Sequence, residues 1–425
     1  AAASKVLGGA SDQLQARVHE LLQEGAYTLR HGILRLPKRD PEAQEIVLAA
    51  GSCQFPPGIL DQWLGFNSYF RLACGCYDPQ FPSPDLLLLA GDQIYVDSTA
   101  GMFDPAAQDE RYQHPYQRFY RSSAARATLR EVPTAMMLDD HEIVDNWEPL
   151  PNDDDNWKRQ REGLEYFRVF QRSRERGKQP HQWYSFRRKG FDFFMLDTRS
   201  ERSQRASASL LEADMLHDTG RQPPPAENQW QALEAWLQQG PRDKPRFIVC
   251  PAMPFPQERR AIADVDRYAV NQNDQRFAAA MHSDSWSGYP ASLAKLVELI
   301  RDARLENLVM INGDAHLGCV AEVTLDDDNT RFWAVHASGL YAPLPFANAS
   351  RADLAACEPL KLANGIQGQV HTRFAPAGDG FAILEVRKTA ERWEIAVSFD
   401  REAAASGQAW QQQIPLQCDC EHQAP

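Results

Sequence analysis

The sequence predicts an α/β fold, and three observations support that prediction. Short runs made almost wholly of apolar residues recur from residue 46 onwards, as expected of strands that are covered on both faces. Segments with helical periodicity lie between several of these runs. After about residue 319 the pattern changes to alternating apolar and polar residues, which is typical of hairpins.

The apolar runs are the predicted buried strands. They lie at residues 46–50, 86–90, 135–138, 193–196, 247–250 and 308–311. Because the runs contain no regular polar position, neither face of such a strand is expected to meet water. Polar or helical stretches separate them, as in a sheet whose strands are joined by helices on its faces.

Three helices are predicted between or after these strands, at residues 156–176, 228–239 and 292–304. In the first of them Leu164, Phe167 and Phe170 recur at helical spacing. A glycine follows each of the first two segments and is expected to end the helix.

Two pairs of alternating segments predict hairpins that close one side of a sheet. Residues 320–325 are expected to pair with 331–335, and residues 381–386 with 393–399. No internal repeat or low-complexity linker interrupts this part of the chain. We therefore expect one main domain.

An amphipathic helix is predicted near the N-terminus, at residues 11–24, with Gly25 as its end. It precedes the first apolar run and is separated from it by polar sequence. The predicted organisation is therefore a short extension with one helix, residues 1–44, followed by the main domain, residues 45–425.

Composition and charge exclude several functional classes. Apolar residues make up 43% of the chain and charged residues 24%, and no apolar stretch approaches the roughly 18 residues that a membrane-spanning helix needs. A net charge of -13 without any Lys/Arg-rich segment is poorly suited to a groove for duplex nucleic acid. A phosphate-bearing substrate would need a local positive field from a metal ion or a few arginines.

The number of cysteines and the first residues of the chain give an expectation for the cellular compartment. Eight cysteines in 425 residues are too sparse for a disulfide framework, so reduced thiols are expected. The first residues show no basic segment followed by an apolar one. We expect a cytoplasmic protein, or a periplasmic or secreted one if a leader has been removed.

Polar side chains follow four of the predicted strands at the point where each strand ends. The four segments are Gly51-Ser52-Cys53-Gln54, Gly91-Asp92-Gln93-Ile94-Tyr95, Asp139-Asp140-His141-Glu142 and Gly313-Asp314-Ala315-His316. Ligands of open α/β sheets bind beyond the carboxyl ends of the strands, where these segments are expected to converge. Taken singly, each residue has an ordinary structural interpretation, as a helix cap, a turn or a core residue. Four such endings in sequence order favour a metal site.

The chemistry of these side chains favours a two-metal site. A carboxylate between two cations can bridge them, and paired metals clamp the attacking and leaving oxygens of phosphoryl transfer. Asp92 is the candidate bridge. Cys53 and Tyr95 are soft or phenolate ligands that suit a ferric or zinc-like ion, whereas carboxylates such as Asp140 and Asp314 suit calcium, magnesium or manganese.

Five motifs together resemble the PhoD-like branch (alkaline phosphatase D) of the calcineurin-like metallophosphatases. They are Gly-Ser-Cys-Gln, Gly-Asp-Gln-Ile-Tyr, Asp-Asp-His-Glu-Ile-Val-Asp-Asn, Phe-Phe-Met-Leu-Asp-Thr-Arg and Gly-Asp-Ala-His, within residues 46–318. The resemblance implies a four-layer αββα sandwich, in which helices flank two mixed β-sheets. It also implies that the domain hydrolyses phosphomonoesters or phosphodiesters with a metal-bound water.

The resemblance further implies a role for each matched position. The residues that would hold an iron ion, Fe³⁺, are Cys53, Asp92, Tyr95 and His316. The residues that would hold Ca²⁺ are Asp92, Asp140 and Asp314. Zn²⁺, Mn²⁺ and Mg²⁺ are alternatives at these positions. His141 matches the position of a histidine near the leaving group, so His141 and Asp92 are the catalytic candidates.

The chain departs from the wider superfamily in ways that suit the PhoD-like branch. Asp140 stands where the superfamily has Asn, and Asp314 where it has His. The superfamily also places a histidine ligand on the strand before the last motif, and residues 250–254 supply none. The second metal is therefore expected to have fewer protein ligands.

Arg199 and Asn146 are the candidate substrate-binding residues. Arg199 follows the fourth predicted strand and either clamps a phosphate with two hydrogen bonds or pairs with a carboxylate. The expected partner is a small phosphoester, and the oligomeric state stays open. Three functions remain: a phosphomonoesterase, a phosphodiesterase of lipid or nucleotide esters, and a non-catalytic metal-stabilised binding protein on the same fold.

Overall fold

A computed structural model describes most of the chain from residue 43 onwards. The described residues are 43–58, 61, 64–76, 82–98, 109–172, 181–205, 210–217, 228–257, 284–327, 330–337, 339–342, 354, 356–375, 378–390, 392–401 and 410–416. The helix predicted at 11–24 lies outside them, and so does almost all of the predicted extension.

The described residues contain the following strands and helices. The strands are β1 (Glu45–Gln54), β2 (Leu86–Ala90), β3 (Thr134–Met137), β4 (Tyr184–Arg188), β5 (Phe191–Met195), β6 (Arg246–Cys250), β7 (Leu308–Asn312), β8 (Cys319–Leu325), β9 (Arg331–His336), β10 (Gly339–Tyr341), β11 (Cys357–Lys361), β12 (Gln367–Phe374), β13 (Gly380–Lys388), β14 (Trp393–Arg401) and β15 (Trp410–Leu416). The α-helices are α1 (Asn67–Gly75), α2 (His114–Arg121), α3 (Ser123–Glu131), α4 (Asp154–Phe170), α5 (Gln229–Gln239) and α6 (Pro290–Ala303).

These strands form two mixed sheets. Sheet 1 has seven strands, in the order β15-β14-β13-β1-β2-β3, with β10 paired to the end of β1. Sheet 2 has eight, in the order β11-β12-β8-β9-β7-β6-β5-β4. The strands β1, β2 and β3 run parallel, and so do β5, β6, β7 and β9. The predicted α/β class is confirmed.

Side-chain alternation along the strands defines four layers. In β1, Ile46, Leu48 and Ala50 pack in a core shared with Phe193 of β5 and other residues of sheet 2. The opposite face of sheet 1 packs against α1, α2 and α3, and the opposite face of sheet 2 against α5 and α6. Because each sheet is covered on both faces, its central strands carry apolar residues at every position.

All six predicted strands are present, with ends that differ by at most a few residues. The two predicted hairpins also form, as β8 with β9 and β13 with β14. The expectation that they close one side of a single sheet is wrong. β13 and β14 extend sheet 1, whereas β8 and β9 lie in sheet 2, where β9 also pairs in parallel with β7. Alternation along a strand does not encode which sheet the strand joins.

The helix predicted at 156–176 ends earlier than expected, at Phe170. Arg172 leaves the helix because its guanidinium bonds the carbonyl oxygen of Gln182 and lies 3.8 Å from the centre of the Tyr184 ring. The sequence analysis did not predict α1, α2 or α3, whose buried faces consist of a few aromatic and small side chains among polar residues. No helix in the described ranges is long and apolar enough to cross a membrane.

Candidate metal centre

The ends of β1, β2, β3 and β7 meet at one place, although β7 belongs to the other sheet. The backbone N–H of Cys53 donates to the carbonyl of Gly91 at 3.1 Å, which joins the segments after β1 and β2. A Cβ atom on Gly91 would lie 2.6 Å from the Cβ of Asp139, and one on Gly313 would overlap the carbonyl oxygen of Ala90. Both positions therefore require glycine, because the segments pass too closely for a side chain.

The residues predicted to hold the iron-like ion lie together. The Cys53 Sγ is 3.4 Å from Asp92 Oδ2, and the Tyr95 hydroxyl is 3.5 Å from His316 Nε2. Cys53 also lies close enough to Tyr95 to raise the pKa of the phenol. The thiol of Cys53 thus adjoins the carboxyl of Asp92, and the phenol of Tyr95 adjoins the imidazole of His316.

A group of carboxylates adjoins this set. Asp92, Asp139 and Asp314 each offer an oxygen, and the three oxygens lie within 4.8 Å of one another. Atoms of Asp92, Asp140 and His141 form a second group of the same kind. Asp92 belongs to both groups, as a bridging residue must. Asp139 was not among the predicted ligands, although it directly precedes Asp140 in the motif.

Burial and mutual repulsion disfavour negative charge on this cluster. Burial, followed by the charge of Asp140, raises the pKa of Asp92 well above its usual value. Burial also raises the pKa of Asp314, where Asp284 and Asp139 add to the effect. The thiol of Cys53 and the phenol of Tyr95 have raised pKa values, first from burial and then from neighbouring acidic groups. A cation among these groups would reverse this balance and favour their charged forms.

The two carboxyl oxygens of Asp139 differ in their hydrogen bonding. Its Oδ1 accepts a hydrogen bond from Arg199 Nε at 2.8 Å, but its buried Oδ2 has no hydrogen-bond partner among the described residues. Burial raises the pKa of Asp139 to about 6, against the opposing effect of the Arg199 charge. Buried carboxylate oxygens are rarely left without a partner, so a bound cation fits this position.

Asp140 has the opposite electrostatic environment. Burial by itself would raise its pKa, but the charges of Arg199 and His141 and the backbone N–H of Asn146 together hold the pKa of Asp140 well below its usual value. The N–H of Asn146 donates to Asp140 Oδ2 at 2.6 Å. Asp140 is therefore a fixed anion beside the carboxylate group.

His141 lies between the two sets of residues. Its Nδ1 is 2.9 Å from Asp97 Oδ1, and its ring stacks on Tyr95 with 4.0 Å between ring centres. Burial lowers the pKa of His141, but Asp140 and Asp97 outweigh burial and raise it well above the usual value. Asp97 escaped prediction because nothing in its local sequence distinguishes it from a turn residue.

Arg199 is fully buried, and its guanidinium is occupied by protein groups. It donates to Asp139, to Asp284 at 2.7 Å and to the carbonyl of Trp147. This is the carboxylate pairing that was one of its two interpretations, and substrate binding by Arg199 stays a prediction. Asn146 is exposed, and its backbone N–H rather than its side chain contacts the cluster. Substrate binding by Asn146 stays a prediction.

Glu142 is a third residue, after Asp139 and Asp97, to which the sequence analysis did not assign a role. Its carboxylate accepts from the backbone N–H groups of Asp92 at 3.1 Å, Ile94 at 3.1 Å and Asp139 at 2.9 Å. Burial raises the pKa of Glu142 to about 7, although these three donors act in the other direction. The carboxylate of Glu142 thus connects the segment after β2 to the segment after β3. The sequence could not reveal this role, because the burial of an acidic residue in a loop cannot be predicted from the loop sequence.

The model of a family described as PhoD-like phosphatase matches residues 48–394. A solved structure entitled "Structure of PhoD" superposes with a TM-score of 0.57 and 15% sequence identity, covering 89% of this chain and 69% of that one. A purple acid phosphatase, PPD1, from yellow lupin (Lupinus luteus) seeds gives a TM-score of 0.48 and 10% identity, covering 89% of this chain and 55% of that one. No curated protein matches the chain.

Proposed function

Because the chain belongs to the PhoD-like phosphatase family, and is therefore a hydrolase of phosphoric esters, we propose that two metal ions act at the ends of β1, β2, β3 and β7. The observation that carries this proposal is that Asp92 adjoins two groups of candidate ligands: its Oδ2 is 3.4 Å from Cys53 Sγ, and it offers an oxygen within 4.8 Å of oxygens of Asp139 and Asp314. A single buried carboxylate common to two groups is the arrangement that a bridged metal pair requires.

The donor atoms fit two different ions. Cys53, Tyr95 and His316, with Asp92, offer one thiol, one phenol and one imidazole, a set that suits Fe³⁺ or Zn²⁺. Asp92, Asp314 and Asp140 offer only oxygens, which suit Ca²⁺, Mg²⁺ or Mn²⁺. The unpartnered Oδ2 of Asp139 adds a further oxygen to the second set. We propose Fe³⁺ for the first position and Ca²⁺ for the second.

When bound, the ions would act as Lewis acids on the phosphoryl oxygens and lower the pKa of water at the site. The other steps belong to residues of the chain. Asp97 holds the Nδ1 of His141, so that Nε2 is the nitrogen available to carry a proton to the leaving oxygen. Stacking on Tyr95 fixes the plane of the imidazole. His141 is thus positioned as the general acid.

The substrate class is the second part of the proposal. Hydrolysis of monoesters and hydrolysis of diesters both agree with this arrangement, and a diesterase of lipid or nucleotide esters is the alternative. The experiment compares p-nitrophenyl phosphate with bis-p-nitrophenyl phosphate, before and after treatment with a chelator. We expect turnover of at least one of them, loss of turnover on chelation and recovery when metal is added back.

The outcomes of that assay distinguish the candidate functions from one another. A higher kcat/KM for the diester would identify a phosphodiesterase, and a higher value for the monoester a phosphomonoesterase. Turnover that survives complete removal of metal would overturn the metal centre. Metal binding without turnover of any phosphoester would indicate a metal-stabilised binding protein.

A further inference from the structure

A cavity of about 400 Å³ lies beside the candidate metal centre and shares Tyr95 with it. It is lined by the segment that carries Tyr95 and by residues of α2. Its volume falls within the range of small-molecule sites in proteins. None of the proposed steps uses it.

The side chains of α2 that line the cavity include two arginines. His114, Gln117, Arg118 and Arg121 are spaced so that they share one face of the helix, and this face borders the cavity. Within the described ranges, neither Arg118 nor Arg121 has an ion-pair or hydrogen-bond partner for its guanidinium. The cavity also has one acidic lining residue, Glu110, which pairs with neither arginine.

Several other arginines among the described residues are paired with an acidic side chain. The net charge is -13, and Arg187, Arg199 and Arg205 each contact a carboxylate. Arg118 also lines a second, smaller cavity with Pro56, Phe66 and Phe119, so its aliphatic stem lies among apolar side chains. Both arginines are exposed, and they border a cavity that reaches Tyr95 of the candidate metal centre.

We propose that this cavity binds a second phosphoryl group of the substrate, so that preferred substrates are phosphoesters whose alcohol carries another phosphate. The proposal rests on the proposed function, because it places the ester phosphate at the metal centre and the second phosphate beyond Tyr95. A phosphoryl group has three terminal oxygens and can accept from two planar guanidinium groups, whereas the two oxygens of a carboxylate are matched by one.

The test compares substrates that differ only in the second phosphate. Propane-1,3-diol bisphosphate and hexane-1,6-diol bisphosphate are assayed beside 1-propyl phosphate and 1-hexyl phosphate, since the two lengths sample different spans. In the metal-loaded wild-type protein, we expect kcat/KM to favour the bisphosphate by about ten-fold or more at one length, as charge-assisted hydrogen bonds contribute this much. In the double variant Arg118→Gln/Arg121→Gln, this preference should fall to about two-fold. A two-fold preference remains because each bisphosphate carries two equivalent ester groups that can be hydrolysed, and each monophosphate carries one.

Two further variants act as controls. Arg118→Lys/Arg121→Lys keeps the charge but not the planar fork, and should show an intermediate preference. Arg126→Gln removes an exposed arginine of α3 that does not line the cavity, and should keep the full preference. If Arg126→Gln loses the preference for the bisphosphate as fully as the double glutamine variant does, the cavity proposal is overturned, because a change in net charge alone would explain the loss. A wild-type protein that shows no preference for the bisphosphate at either length would also overturn the proposal.

A binding measurement separates failure of the cavity from failure of the proposed function. Propane-1,3-bisphosphonate, which is not hydrolysed, is titrated calorimetrically into metal-loaded wild-type protein and the double glutamine variant. Tighter binding to the wild-type protein supports the cavity even if no ester is turned over, a result that would overturn the proposed function instead. Equal affinity for the two proteins would overturn the cavity.

Discussion

At the scale of single residues, the candidate centre coincides with unusual backbone. Cys53, Asp92, Asp314 and His316 all have φ between 46° and 78°, in the left-handed region. Such a conformation costs a residue other than glycine on the order of 1 kcal/mol or more and tends to cluster at functional sites. Glycine would relieve the strain but would remove the side chain that the proposed centre uses, which agrees with a functional role for these four side chains.

Asp92→Asn tests the bridging role. An amide cannot carry the charge that both ions need, so we expect kcat to fall by more than about 100-fold and the affinity for both metals to weaken. Phosphatase kinetics and elemental analysis of the purified variant measure the two effects. Asp302→Asn, at an exposed position of α6, is the matched control. Wild-type turnover in Asp92→Asn would contradict a two-metal centre that shares this carboxylate.

His141→Ala tests the assignment of the general acid. A poor leaving group needs protonation and a good one does not, so we expect a loss of about 100-fold or more for alkyl phosphates and a much smaller loss for p-nitrophenyl phosphate. The measurement is kcat/KM across a series of leaving groups. Asp97→Asn should show the same trend with a smaller loss, because it keeps the imidazole but removes a charge that raises the pKa of His141 and weakens the orientation of the ring. Equal losses across the series would instead assign His141 to phosphate or metal binding.

Tyr95→Phe tests the identity of the first metal. Phenolate or thiolate bound to Fe³⁺ gives a visible charge-transfer band, whereas Zn²⁺, with its filled d shell, gives none. We expect concentrated wild-type protein to be coloured, dithionite to bleach it, and Tyr95→Phe to lose or shift the phenolate part of the band. The ring can still pack against Phe55, whose centre lies 5.1 Å away. A colourless, active enzyme without iron would exclude Fe³⁺ at this position.

At the scale of secondary-structure elements, the site depends on hydrogen bonds between the ends of neighbouring strands. Glu142, which follows β3, accepts two N–H groups from the segment after β2 and one from its own segment. The hydrogen bond from the N–H of Gln54 to the carbonyl of Asp92, 2.7 Å long, makes the corresponding connection between the ends of β1 and β2. Parallel pairing brings the strand ends to one edge, and these bonds fix the segments that carry the ligands.

Glu142→Ala should therefore disturb both stability and the site. It leaves three buried N–H donors without an acceptor, and we expect a loss of roughly 3–5 kcal/mol in the free energy of unfolding, measured by urea denaturation. The folded fraction should also bind metal more weakly. Glu298→Ala, at an exposed position of α6, should change stability by less than about 0.5 kcal/mol. A fully stable Glu142→Ala variant would contradict the fixing role.

At the scale of the whole molecule, the candidate centre lies where the two sheets meet. β1, β2 and β3 of sheet 1 deliver Cys53, Asp92 and Asp140, and β7 of sheet 2 delivers Asp314. The same strands form the core between the sheets, in which their side chains are fully buried. The proposed metal centre is therefore built on the same strands that pack the two sheets together, and loss of either should disturb the other.

Glu358 should make the stability of the whole molecule depend on pH. It lies on β11, its side chain is buried, and its Oε2 has no hydrogen-bond partner among the described residues. Burial raises its pKa from 4.5 to about 7, despite one hydrogen bond from the N–H of Gln257. The folded state thus binds a proton more tightly than the unfolded state. This contribution to stability is complete below pH 4.5 and is lost as the pH rises through about 7.

Urea denaturation of wild type and Glu358→Gln measures this effect. Glutamine cannot ionise, so the variant should gain about 2–3 kcal/mol of unfolding free energy relative to wild type between roughly pH 5 and pH 8. Glu298→Gln should show no such gain, because that side chain is exposed. Parallel pH profiles for Glu358→Gln and wild type would contradict a protonated Glu358 in the folded protein.

The sequence by itself determined the fold class and the residues to consider for the centre. Continuous apolar runs mark strands that are covered on both faces. All six strands predicted from these runs are present in the structure. The polar residues after those runs, Cys53, Asp92, Asp140 and Asp314, were found because the carboxyl ends of parallel strands share an edge. Both signals are local, since each is carried by residues adjacent in the chain.

Only the tertiary structure decided the relations between distant segments. The placement of β8 and β9 in one sheet and of β13 and β14 in the other depends on packing that strand alternation does not encode. The contacts of Arg199 with Asp139 and Asp284, and those of Glu142 with the N–H groups of Asp92 and Ile94, each join segments far apart in sequence. Such contacts follow from how two sheets pack, because burial and charge environment are properties of the assembled molecule rather than of any one segment.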